Sequence, residues 1–282
     1  MRSVVEILDV DTGHRQAVHR TTALIEAPNW SRDGRTLIVN GGGRLYRLPV
    51  TGGDLQAIDT GSAQANNNDH GLSPDGRWLA ISDQSQGPSR IFVVPAGGGE
   101  PRPVTTNTPS YWHGWSPDGR TLAFVGQRDG VFDLYAIPVE GGAEQRLTAD
   151  AAHDDGPDYA PDGSLYFNST RSGHMQIWKL PPGGGPAQPV TSDARYADWF
   201  PHPSPDGRWL IFLSYAGDVE GHPADQNVSL RIMPLDGSAP PRVIATLFGG
   251  QGTINTPSWS PDSRRVAFVS YRPLPPGAPP DR

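Results

Sequence analysis

Histidines and carboxylates recur just ahead of a repeated tetrapeptide, and these positions could support chemistry. His70 and His113 share one column when the repeats are aligned, and His202 falls one position later. Three imidazoles with nearby carboxylates are typical ligands of a divalent transition metal, which fits Zn, Mn, Fe or Ni better than Ca. A single histidine in such a loop is more often a structural hydrogen-bonding residue, so both interpretations stay open.

Further candidates come from the same segments and from the longest insertion, residues 215–227. His153 and His222 could act as general bases if a metal polarised a substrate beside them. Aromatic residues that break the repeat period could stack on a sugar ring or another flat ligand. Glycines within residues 248–255 would let the backbone approach a ligand closely. The candidate ligand-binding residues are Glu26, Asp69, Trp112, Asp158, Arg171, Trp199, Phe200, Gln251 and Asn255.

The tetrapeptide itself predicts the elements that position these residues. It reads SRDG at residues 31–34, SPDG at 73–76, 116–119 and 204–207, APDG at 160–163, and SPDS at 260–263. Successive aspartates of the tetrapeptide are 42, 43, 44, 44 and 56 residues apart, which is the period of a four-stranded propeller blade. Pro-Asp-Gly forms a tight turn between two strands. Six copies therefore predict an all-β, six-bladed propeller with antiparallel blades.

The two ends of the chain complement each other. One strand, residues 265–271, follows the sixth tetrapeptide, and the proline-rich end after it cannot form ladder hydrogen bonds. Residues 4–10 and 15–19 have the pattern of the two missing outer strands. We therefore expect the N-terminal strands to pair into the last blade and close the ring. The predicted organisation is a single propeller over residues 1–272 and a disordered proline-rich tail over residues 273–282.

Strand order also predicts which residues share a face. The strand before the tetrapeptide is innermost, so the tetrapeptide turns lie together on one face of the ring, which we call the bottom. The starts of the inner strands and the loops between second and third strands then share the opposite face, the top. We expect the candidate histidines and carboxylates to gather around the top mouth of the central channel.

Composition excludes several classes of protein. The net charge is −7 and Lys179 is the only lysine, which argues against nucleic acid or a membrane surface as partner. The chain has no cysteine, and so no disulfide, thiolate metal site or cysteine nucleophile. Without a signal-peptide pattern, the chain is expected to be cytoplasmic, or periplasmic if a leader was removed. We expect a monomer.

The segment WSPDGRTLAFVGQRDGVFDLYAIPVEGGAEQRLT, residues 115–148, resembles the blade repeat of TolB-like (WD40-like, PD40) propellers. This resemblance extends over all six blades and implies the fold. The blades are more distantly similar to those of oligogalacturonate lyases, in which histidines and a glutamine hold manganese. That second resemblance implies a metal set of His70, His113 and His202 with Gln226, or with Gln251 in its place.

Two functions follow as expectations. The first is a TolB-like propeller that binds a small polar ligand, with carbohydrate as the leading class, or a protein segment at the top mouth, with or without a divalent metal. The alternative is a metal-dependent carbohydrate-active enzyme, a lyase or hydrolase, that uses His153 or His222 as base. The sequence leaves open the ligand, the metal and whether there is catalysis.

Overall fold

The computed structural model describes residues 2–273, which form 23 β-strands and no helix. The strands make six antiparallel sheets, and in the first five the innermost strands contact one another in sequence around a central channel. The predicted all-β, six-bladed propeller is confirmed. Residues 2–273 contain no helix long and apolar enough to cross a membrane. Apart from Pro273, the predicted tail lies outside the described residues.

Blades 1 to 5 have four strands each, named below from the innermost outward. Blade 1 consists of β3 (Glu26–Trp30), β4 (Thr36–Gly41), β5 (Arg44–Pro49) and β6 (Gln56–Ile58). Blade 2 consists of β7 (Asn66–Leu72), β8 (Trp78–Asp83), β9 (Arg90–Pro95) and β10 (Arg102–Pro103). Blade 3 consists of β11 (Ser110–Trp115), β12 (Thr121–Arg128), β13 (Val131–Pro138) and β14 (Gln145–Arg146). Blade 4 consists of β15 (Asp154–Tyr159), β16 (Leu165–Ser169), β17 (Gln176–Leu180) and β18 (Gln188–Pro189). Blade 5 consists of β19 (Tyr196–Pro203), β20 (Trp209–Ala216), β21 (Ala224–Pro234) and β22 (Arg242–Gly250).

Blade 6 joins the two ends of the chain. Strand β1 (Arg2–Asp9) pairs on one side with β23 (Arg265–Arg272) and on the other with β2 (Arg15–Thr21). The innermost position is held by a single bridge between Trp259 and Val266. Closure by the N-terminal strands is therefore confirmed, and it removes the open edge that β23 would otherwise present.

The tetrapeptide turns are stabilised by their own side chains. In blade 3 the Ser116 hydroxyl donates to Oδ1 of Asp118 at 2.6 Å, and the Arg120 amide donates to the same oxygen at 3.0 Å. Gly119 has φ of 70°, the left-handed conformation that glycine adopts without strain. The serine hydroxyl bond recurs in five of the six turns. In blade 4, where Ala160 replaces the serine, the Ser164 amide still donates to Asp162, so each turn fixes where its inner strand ends.

Hydrophobic clusters fill the space between neighbouring blades. Between blades 2 and 3, Ile91 and Val93 pack in one cluster with Trp112, Trp115 and Phe124. All these side chains are buried. The inner strands thus rest on closely packed walls, which hold the channel-facing residues in place.

A β-bulge interrupts five of the inner strands, β3, β7, β11, β15 and β19. In three of them the residue before a proline has positive φ: Ala27 at 51°, Gly156 at 61° and Phe200 at 54°. A bulge inserts one residue and redirects the side chains beside it. These bulges decide which residues of each inner strand face the channel.

Candidate functional site

An open cavity of about 610 Å³ occupies the mouth of the channel on the top face. The first residues of the inner strands, the loops between second and third strands and the insertion after β20 form its wall. We call it the top cavity, and its chemistry-bearing residues are Glu26, Asp69, His113, His153, Asp155, His222, Gln251 and Asn255.

Asp155 lies between two histidines at this mouth. Its Oδ1 is 3.3 Å from Nε2 of His113, and its Oδ2 is 3.6 Å from Nε2 of His222. Burial favours the neutral carboxyl, but the hydrogen bond from His113 and the nearby imidazoles outweigh it and lower the pKa of Asp155 to about 2. Burial opposes the charge on His113 as well, yet its carboxylate neighbours raise the pKa of that imidazole. This arrangement favours an ionised carboxylate beside a protonated imidazole.

Aromatic rings and an amide hold the other two histidines. The ring of His222 is 4.5 Å from that of Trp199 and 5.1 Å from that of Phe200, both edge-on. Its Nδ1 is 2.5 Å from Oε1 of Gln251, an acceptor, so Nδ1 carries a proton and Nε2 is directed towards Asp155. His153 stacks on Phe132 at 5.3 Å.

The opposite part of the wall carries two carboxyl groups in a different environment. Burial raises the pKa of Asp69 to about 6, with the charge of Asp155 adding to the rise and that of His113 opposing it. Burial also raises the pKa of Glu26, against the hydrogen bond that Asn68 donates at 3.4 Å. Asp69 is 6% exposed and accepts a 2.9 Å hydrogen bond from the Asn67 amide. One cavity thus holds a carboxylate that is stable as the anion and two carboxyl groups that are costly to ionise.

The structure brings together only part of the predicted ligand-binding set. Five of the nine residues line the top cavity: Glu26, Asp69, Phe200, Gln251 and Asn255. So do His113, predicted as a metal ligand, and both predicted bases, His153 and His222.

The other four predicted ligand-binding residues lie elsewhere. Trp112 and Asp158 border a second cavity, of about 260 Å³, at the bottom of the channel. Trp199 is 1% exposed and supports His222 from behind. Arg171 forms an ion pair with Asp154 at 2.8 Å and lies over the rings of Phe167 and Trp178. Its charge is therefore used within blade 4.

The predicted metal set does not fit a metal ion. His202 uses both ring nitrogens, on Asp158 at 2.9 Å and on the carbonyl of Ile254 at 2.6 Å. His70 is fully buried, with Nε2 3.3 Å from the carbonyl of Ile38. Gln226 pairs with Gly249 in the outer hairpin of blade 5. Within residues 2–273, no group of three or more His, Cys, Asp or Glu side chains could hold a metal ion.

Several residues of the top cavity were not among the predicted ones. Asp155 binds two of its histidines, and the run Asn66–Asn68 supplies amides from blade 2. Tyr111 and Phe132 add aromatic surface. Three successive asparagines at the start of an inner strand, which none of the other inner strands has, were the signal that could have identified this wall.

Comparisons with known proteins agree with this architecture. Residues 109–227 match the profile of the PD40 family, described as the TolB beta propeller domain. The uncharacterized protein Atu1656 of Agrobacterium fabrum is 49% identical over 276 residues, which cover 97% of this chain and 94% of that protein. A solved structure from Agrobacterium tumefaciens, provisionally assigned as TolB, is 48% identical to this chain. The two structures match with a TM-score of 0.94 over 97% of this chain and 99% of that one.

A manganese complex of an oligogalacturonate lyase is also similar, at 14% identity and a TM-score of 0.57 over 86% of this chain and 72% of that one. At that identity the likeness concerns the fold alone, and the manganese belongs to the lyase. The repeated turns, the six closed blades and the near-complete match to the Agrobacterium proteins lead to one assignment: this chain belongs to the TolB β-propeller family.

Proposed function

We propose that this propeller binds a small polar ligand, of which carbohydrate is the best-fitting class, in the top cavity. The observation that carries the proposal is the lining of the top cavity, in which the rings of Tyr111, Phe132 and Phe200 accompany the amides of Gln251 and Asn255. Its volume of about 610 Å³ falls within the range of about 300–1,000 Å³ typical of small-molecule sites. Aromatic faces pack against the C–H faces of a sugar ring, while amide and carboxylate oxygens accept hydrogen bonds from its hydroxyl groups.

Hydrogen bonds hold side chains that line the top cavity in fixed positions, which favours ligand binding. Gln251 Oε1 accepts from Asn255 Nδ2 at 3.1 Å as well as from His222, and Asn255 is 1% exposed. Side chains fixed in this way lose little conformational entropy on binding. The proposal involves no metal, because the residues predicted to hold one are not assembled.

The test is ligand-observed NMR with neutral oligosaccharides, for example maltotriose and the N-acetylglucosamine trimer, followed by calorimetry on any that bind. Phe132→Ala should weaken binding about ten-fold or more, because it removes an aromatic face of the cavity. The matched control is Trp78→Ala, which removes a 40%-exposed aromatic side chain next to a bottom-face turn. Equal affinity in both variants would place the ligand elsewhere. Competition by a peptide rather than by a sugar would favour a protein segment as the natural occupant.

One observation favours a second candidate, a carbohydrate-active enzyme that works without a metal. Asp155, with a pKa of about 2, and Asp69, with a pKa of about 6, line the same cavity. Two carboxyl groups whose surroundings set their pKa values apart in one cavity are candidates for the acid and base roles of general acid–base chemistry. The test is release of new reducing ends from oligosaccharides, which Asp155→Asn and Asp69→Asn should each abolish.

A further inference from the structure

We infer that the ligand of the top cavity carries a protonated amine, as an amino sugar does, and that its ammonium group binds at Asp69, Glu26 and Asn68. The inference deepens the proposed function and depends on it. It rests on a contrast between these acids and the other buried acids of the same fold.

Of the six other buried carboxylates in residues 2–273, four are paired with arginine. Asp158 pairs instead with His202, and Asp83 accepts hydrogen bonds from the backbone amides of Ala65 and Ser85. Asp154 pairs with Arg171 at 2.8 Å, and Asp198 pairs with Arg231 at 3.2 Å. Glu6, which is 3% exposed, pairs with Arg15. Each pair compensates for the loss of hydration that a buried charge suffers.

Asp69 and Glu26 have no such partner, unlike Asp155, which pairs with His113 and His222. Neither Asp69 nor Glu26 forms an ion pair within residues 2–273, and the described residues that line the cavity include no arginine or lysine. The imidazole of His113 acts on Asp69 through its charge, but its Nε2 is already bonded to Asp155. The wall therefore has excess negative charge that a cation from outside can neutralise.

Two oxygens of these buried residues also lack a donor. The Asn67 amide occupies Oδ2 of Asp69, and no donor in the described chain reaches its Oδ1. Asn68, which is 6% exposed, uses its amide nitrogen on Glu26, so its amide oxygen has no partner within residues 2–273. Both oxygens open onto the top cavity, where they can accept hydrogen bonds from a ligand. An ammonium group supplies three N–H donors and a positive charge together, so it satisfies both requirements.

The negative charge and the hydrogen-bonding groups of the top cavity select different classes of sugar. A neutral sugar satisfies the hydrogen bonds and leaves the two acids without a countercharge, and an anionic sugar such as a uronate adds repulsion. An amino sugar retains the hydroxyl groups that the amides bind and adds the cation. An ammonium also favours the ionised form of Asp69, which already lies in the field of His113, Asp155 and Glu26. Binding should therefore strengthen as the pH rises through about 6, the pKa of that carboxyl in the free protein, and weaken again once the sugar amine loses its own proton.

The experiment is calorimetry at about pH 6.5 with the glucosamine trimer and the N-acetylglucosamine trimer, which differ only in the acetyl groups on nitrogen. At this pH Asp69 is mostly ionised and the sugar amines, which are weaker bases than alkylamines, still carry protons. We expect the free amine to bind about ten- to hundred-fold more tightly, the worth of one charge-assisted hydrogen bond. Asp69→Asn and Glu26→Gln should each reduce that preference, while Asp118→Asn, a change in a bottom-face turn, should leave it intact.

The outcomes separate the inference from the proposed function. Equal affinity for the two trimers would overturn the inference and leave sugar binding standing. No binding of either trimer or of neutral sugars would overturn both. Tighter binding of a tripeptide with a free N-terminus than of the glucosamine trimer, or displacement of that trimer by CaCl₂ at matched ionic strength, would overturn the assignment to an amino sugar.

Discussion

Asp69→Asn should make the protein more stable at neutral pH while it removes a charge from the binding site. The carboxyl of Asp69 has a pKa of about 6 in the folded protein, against 3.8 without the fold, and burial is the main cause. At about 1.36 kcal/mol per pH unit, ionising it in place costs the folded state about 3 kcal/mol. Asparagine avoids this cost and can still accept the hydrogen bond from the Asn67 amide.

The gain should depend on pH in a defined direction. Below about pH 3 the carboxyl is protonated in both folded and unfolded chains, so Asp69→Asn should have little effect there and only a small one at pH 4. As the pH rises from about 4 to 6, only the unfolded chain ionises freely, and the wild type loses stability relative to the variant. Urea denaturation at pH 4, 6 and 8 measures the difference. A variant that is less stable than the wild type at pH 8, or a gain that is equal at all three pH values, would refute this account of the site.

Asp155→Asn is the matched control, because it removes a carboxylate from the same cavity but should change the stability of the fold in the opposite direction. The pKa of Asp155 is lowered to about 2, so its ionised form stabilises the fold above about pH 4, and that contribution is lost as the pH falls through about 2. The variant should therefore be less stable by about 2 kcal/mol at pH 7. If both substitutions stabilised the protein, the total negative charge of the top cavity, rather than the surroundings of each carboxyl group, would determine their effect on stability.

Three further predictions concern the framework. Deleting residues 1–21, which removes β1 and β2, should expose the edge of β23 and cause self-association, visible by light scattering; a monomer with unchanged Tm would contradict the closure. Asp118→Ala should lower Tm, because it removes both acceptor bonds of its turn, and calorimetry should find ligand affinity unchanged; a loss of affinity would move the site to the bottom face. His202→Ala should lower the free energy of unfolding by about 3–5 kcal/mol, because Asp158 would be left buried without its partner; a loss below about 1 kcal/mol in urea denaturation would show that the pair is not structural.

The fold could be predicted because its signal is local and repeated. The Ser116, Asp118 and Gly119 side chains and backbone define one turn without help from the rest of the chain. Six such turns, spaced 42–44 residues apart except for the last step of 56, leave little freedom for the strands between them. The closure by β1 followed from counting strands, which also needs no three-dimensional information.

The site could be predicted only in part, because the β-bulges decide which side chains of the inner strands face the channel. Strand residues alternate between faces, and a shift of one position exchanges the faces. Tyr111 and His113 line the top cavity, whereas Trp112 between them packs between blades 2 and 3. His70 and His202 come at or after the bulges of β7 and β19, where neither lines the top cavity. A column alignment that ignores bulges cannot separate these cases.

The union of the two chain ends in blade 6 has a consequence for how the protein is made. The bond from Ser270 to Glu6 joins residues 264 positions apart, and β1 has no other blade to enter. Contacts of such long range form late, because the intervening chain must be ordered before they are gained. During synthesis the first five blades can assemble while β1 remains unpaired with β23, which is synthesised last. We therefore expect ring closure to be the last step of folding, completed only after β23 has left the ribosome, and the open five-bladed intermediate to be the species most prone to aggregate.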